Sequence, residues 1–64
     1  MKYLILDVMD GGIDSTLEAL ESKVEAYLAC GWRPCGGVSI IKLETGGYCA
    51  AQTIIHDGDG PLPQ

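Results

Sequence analysis

The sequence predicts a small α+β domain of order β-α-β-β: a three-stranded antiparallel sheet of strand order 1-3-2 with one helix packed on one face. Three observations carry that prediction. Lys2–Met9 is a short apolar run rich in β-branched and aromatic residues, a following stretch repeats its apolar side chains at the helical period, and two further short apolar runs are separated by a Gly-Gly loop.

Strand one takes Lys2–Met9. Successive strand residues point to opposite faces, so Leu4, Leu6 and Val8 share one uniformly apolar face and Tyr3, Ile5 and Asp7 the other. The first set is the expected core face. Asp10-Gly11-Gly12 then breaks the pattern, and Ser15 with Glu18 three residues on matches a capping box, which starts the helix near Thr16. Within it Leu17, Leu20, Val24, Tyr27 and Leu28 line one stripe, while Glu18, Glu21, Ser22, Lys23 and Glu25 leave an acidic outer face. Gly31 can take the left-handed conformation that ends a helix, and Pro34 cannot continue one.

Strand two is expected over Val38–Leu43. Gly36 and Gly37, just before it, mark a bulge, a close backbone approach, or room for a ligand or second subunit. Glu44-Thr45-Gly46-Gly47 is a loop of the kind that joins antiparallel strands, and strand three runs from Tyr48 to about Ile55. Both faces of strand three are largely apolar, which fits a central position. Residues 1–55 thus form one β-α-β-β domain, and 56–64, with its Asp-Gly pairs and prolines, forms a flexible tail. One helix covers one face of the sheet. The other face, with Tyr3, Ile5, Ile40 and Ile54 or their alternates, has no element left in the chain to cover it.

A chain of 64 residues buries only about 60% of its unfolded surface, yet 47% of its residues are hydrophobic. That surplus predicts self-association as a homodimer or a higher homo-oligomer. The net charge is −5, with only four Lys and Arg scattered along the sequence, so a groove that tracks a nucleic-acid polymer is not expected. No apolar run approaches a membrane span, and the N-terminus reads as a strand, so the chain is expected to be cytoplasmic. Three cysteines, an odd number with no C-x-x-C pair, fit reduced thiols.

Catalytic chemistry is poorly supplied, and no enzymatic activity is expected. His56 is the single histidine, and no serine or cysteine is tied to it by a motif. Cys30, Cys35, Cys49 and His56 would make a zinc-like set, but their spacing matches no familiar zinc motif, and small apolar cysteines explain the same letters. Asp57-Gly58-Asp59-Gly60 lacks the remaining ligands of a calcium loop. Neither a metal nor another cofactor is expected. Binding is the class that remains. Trp32 offers a flat face, Arg33 beside it can pair bidentately with phosphate, Gly36 and Gly37 leave backbone N–H groups accessible, Lys42 adds charge, and Gln52 can read a polar edge. Against this, Trp32 can cap the core beneath the helix end, and Gln52 can satisfy neighbouring backbone.

Gly31-Trp32 after an amphipathic helix, then Pro34, Gly36-Gly37-Val38, a short glycine loop, and Tyr48 followed by Gln52 together resemble the small bacterial and phage domain called DUF1737. The likeness covers roughly residues 3 to 55. It departs where Tyr48-Cys49-Ala50-Ala51-Gln52 spreads the aromatic and the glutamine apart, and in the loop between Met9 and Asp14. The resemblance implies the fold and oligomerisation, while the family's own function is unknown. Small phage proteins of this size include sponges that bind host immune signalling nucleotides. By that analogy of size and assembly, the expected function is a non-enzymatic oligomer that sequesters a small anionic metabolite or nucleotide at subunit boundaries in an anti-defence role. The alternative is a protein-interaction module whose acidic helix face docks a host protein.

Overall fold

The computed structural model describes residues 1–63. Strand β1 (Lys2–Asp10), helix α1 (Ile13–Leu28), and strands β2 (Arg33–Lys42) and β3 (Tyr48–His56) follow in that order. β3 lies between β1 and β2 and runs antiparallel to both, so the sheet has the expected order 1-3-2. Among the described residues no helix is long and apolar enough to cross a membrane.

Register decides which side chains share a face. Leu4, Leu6 and Val8 stand directly opposite Ile54, Gln52 and Ala50, and this row meets α1. Ile54 and Ala50 are wholly buried, and Leu6, Leu20 and Trp32 nearly so. The opposite face carries Tyr3, Ile5, Asp7 and Met9 of β1 against Ile55, Thr53, Ala51 and Cys49 of β3, with Arg33, Cys35, Ser39 and Ile41 of β2 beyond them. Nothing in the described chain covers it. Tyr3, Ile5, Met9 and Ile41 are 64%, 58%, 70% and 62% exposed. Ile40 and Ile54, which the sequence places with Tyr3 and Ile5 or leaves to their alternates, belong to the helix side, since Ile40 stands opposite Ala50 and Ile54 opposite Leu4.

The helix begins earlier than its capping pattern implied. Gly12 is the N-cap, no side chain caps it, and the Ser15 hydroxyl donates to the Gly12 carbonyl instead of accepting from an N–H. The buried line on α1 runs through Thr16, Leu20, Val24 and Tyr27, rotated so that Leu28 falls at its border and is 41% exposed. Thr16 is fully buried because its hydroxyl has a partner, donating to the Gly12 carbonyl at 2.6 Å.

β2 also begins earlier, at Arg33, and continues through the glycines. Between Cys35, opposite Thr53, and Ser39, opposite Ala51, it spends four steps where β3 spends two. Gly36 there has φ +79°, and the excess residues form a bulge. Every residue of β2 is exposed, since α1 lies over β1 and β3.

Candidate functional site

The helix end builds the first half of the site. Gly31 has φ +91°, Gly31 N–H donates to the Leu28 carbonyl at 3.0 Å, and Trp32 N–H reaches the Tyr27 carbonyl at 3.2 Å. These two bonds are the Schellman pattern, whose usual hydrophobic contact is supplied by Tyr27 and Trp32, edge to face at 5.9 Å. Helix termination therefore delivers Trp32 into the core. There it is 3% exposed, with His56 packed against it at 5.4 Å.

The chain after β3 builds the second half. Residues 57–63 contain no helix or strand but fold back over Trp32, whose Nε1–H donates to the Pro61 carbonyl at 2.8 Å. Gly58 N–H donates to His56 Nδ1 at 2.9 Å, which leaves the ring proton on Nε2, 3.2 Å from the Cys30 carbonyl that accepts it. Both ring nitrogens are thus engaged in holding the helix end and the C-terminal segment together. Between that segment and the start of β1 lies a cleft of about 230 Å³, lined by Lys2, Tyr3, Leu4, Trp32, Asp59, Gly60 and Leu62.

The six residues singled out for binding do not converge. The Trp32 faces are packed. Arg33 Nη2 holds both carboxylate oxygens of Asp57, at 2.9 and 3.1 Å, in an exposed pair. Gln52, 6% exposed, turns its Nε2 group into the bulge, toward the Cys35 and Gly36 carbonyls at 3.3 and 3.1 Å and the Thr53 carbonyl at 2.9 Å. Gly36 and Gly37 form the bulge, and a side chain at either would meet open space. Lys42 lies beside Tyr48, whereas Arg33 lies beside Ile55. Seven steps of strand separate those rows, roughly 23 Å.

The chain matches no known family model, no curated protein and no solved structure. The resemblance to DUF1737 therefore remains a likeness of short motifs, and the site stands on its geometry.

The cysteines are equally dispersed. Cys35 and Cys49 sit on the open face in different rows, Cys30 is at the helix end, and all three are free thiols. Among the described residues no three His, Cys, Asp or Glu side chains gather as a metal-binding group. His56 and Cys49 are near opposite ends of β3, so they do not form a nucleophile and base. The residues that sequence reasoning missed are Lys2, Tyr3 and the segment Gly60–Leu62. Their only signal was the proline pair flanking Leu62, which carries no periodicity.

Proposed function

We propose that the chain is a non-catalytic binding protein that works as an assembly of copies, paired through the open face of the sheet. The observation that carries this reading is the row of Tyr3, Ile5, Met9 and Ile41, largely exposed on one side of the sheet. A face three strands wide and nine residues long spans roughly 14 by 30 Å; Asp7, Thr53, Arg33 and Ser39 interrupt it, but so many large apolar side chains exposed on one side are a surface that association would cover. A second copy offers the same surface by symmetry.

The ligand in this reading is a small anion, such as a signalling nucleotide, held where two copies meet. Arg33 shares a row with Ile55 and Tyr3, so its guanidinium stands at the margin of the open face. Its exposed bond to Asp57 is one that a phosphate can replace with two parallel N–H···O bonds.

The cysteines supply the experiment. Cys35 and Cys49 lie on the open face and Cys30 does not. A short bismaleimide should join two copies through Cys35 or Cys49, and Cys35→Ser/Cys49→Ser should abolish the joined product. Joining that depends only on Cys30, or none in concentrated protein, would remove the basis for face-to-face assembly.

A further inference from the structure

We infer that the Trp32 groove is a docking site for an extended, proline-containing peptide, and that the chain's own Gly60–Pro63 segment occupies it in cis. The inference rests on the match between what the groove offers and what that segment lacks, and it does not depend on how the open face is covered.

The groove presents a donor. Indole nitrogen donates only, the Lys2 stem lies beside it through its Cβ and Cγ, and Trp32 is fixed in place by T-shaped contacts with Tyr27 and His56. A buried donor of this kind is costly to leave unpaired, so the site demands an acceptor such as a carbonyl. An ordinary extended peptide brings an N–H for each carbonyl, and outside the 57–63 segment the Tyr3 hydroxyl is the one lining side-chain group able to accept it. Proline brings the carbonyl alone. Pro61 and Pro63 flank Leu62, and the Pro61 carbonyl is the acceptor seated on Trp32. Aromatic-lined grooves also favour proline-rich segments because these are preformed in an extended shape and lose little entropy on docking. From Gly60 to Pro63 the chain has neither turn nor bend. Gly60 makes the approach: with φ +67°, a Cβ there would lie 2.7 Å from Lys2 Cγ and 3.0 Å from Trp32 Cζ2.

The cis occupant fills the groove only in part. Leu62 is 62% exposed while lining a cleft of about 230 Å³ that remains open beside Tyr3 and Lys2. Asp57 and Gly58 are held by Arg33 and His56, but among the described residues Gly60–Pro63 makes one hydrogen bond to the body of the protein, so this end opens at low cost, and a longer peptide in trans would also cover Tyr3 and Leu4. The tail then acts as a built-in competitor, present at an effective concentration in the millimolar range.

Trp32 is the only tryptophan, so its emission and its indole N–H resonance report the groove directly. The probe is the blocked pentapeptide Gly-Pro-Leu-Pro-Gln, titrated into the full chain and into Pro61→Gly/Pro63→Gly, a variant outside the helix and sheet. The expected result is a saturable indole shift, with the variant binding at least five-fold more tightly than the parent. A control peptide with glycine at both prolines should bind at least five-fold more weakly. Equal affinity for parent and variant, no saturable shift up to about 10 mM, or equal binding of the glycine control would overturn the proposal. A doubled mass that arises by exchange of tails and disappears in the variant would also overturn it, by making a second copy the occupant.

Discussion

Trp32 and Pro61, 29 residues apart in sequence, are joined by an indole-to-carbonyl hydrogen bond of 2.8 Å. The bond closes a chain of contacts in which the end of α1 delivers Trp32, β3 supplies His56 beneath it, and the C-terminal segment satisfies its buried N–H.

Trp32→Phe keeps an aromatic ring in the core but removes that donor and part of the ring volume. Urea unfolding should show a loss of about 2–3 kcal/mol, together with faster proteolysis of the C-terminal segment. An unchanged midpoint and an unchanged digestion rate would mean that Trp32 does not hold the segment.

Gln52→Leu preserves bulk on β3 but withdraws the donor shared by the Cys35, Gly36 and Thr53 carbonyls. The expected cost is about 1–3 kcal/mol, with amide exchange accelerating locally over 35–39, where β2 bulges. Uniform acceleration through the whole sheet would point to a packing defect instead.

These two side chains mark the limit of what the residue pattern discloses. Alternation in β1 correctly separated Leu4, Leu6 and Val8 from Tyr3 and Ile5, because a period of two needs no tertiary information. Gly31 was legible as a helix end for a similarly local reason. The start of β2 was not. Gly31 to Pro34 reads as a turn and a bulge is one of three readings of Gly36-Gly37, yet only Gln52 on the neighbouring strand shows that the strand already begins at Arg33 and runs through the glycines as a bulge. The faces of Ile40 and Ile54 likewise depended on register across strands, which β2 alone could not reveal once residues had been inserted. For Trp32 and Gln52 side-chain chemistry allows either a ligand contact or a packed, backbone-satisfying role, and the structure shows the second, with polar atoms meeting partners 29 and 16 to 17 residues away as well as one next door. Nothing local announces such pairings.

Arg33→Ala should change stability by less than about 1 kcal/mol, because the pair with Asp57 is solvent-exposed on both sides. A nucleotide panel followed by thermal shift should stabilise the parent, since ligand binding to the folded state alone raises the midpoint. The same nucleotides should leave Arg33→Ala unmoved. Equal stabilisation of both proteins would take Arg33 out of the ligand site.

His56 should carry its ring proton on Nε2, since Nδ1 accepts from Gly58 N–H. Long-range nitrogen–proton correlation spectra distinguish the two tautomers directly. A proton on Nδ1 would mean that the Gly58 bond is absent and the C-terminal segment is held by fewer contacts.

The proposed pairing of copies through Tyr3, Ile5, Met9 and Ile41 is tested most directly by sedimentation equilibrium from about 1 µM to about 1 mM, run on the parent and on Ile5→Lys. The parent should reach at least twice the chain mass at the upper end, while Ile5→Lys, altered at a 58% exposed position, should stay folded and sediment as one chain. A parent that remains a single chain throughout, or an Ile5→Lys variant that associates equally well, would contradict the account.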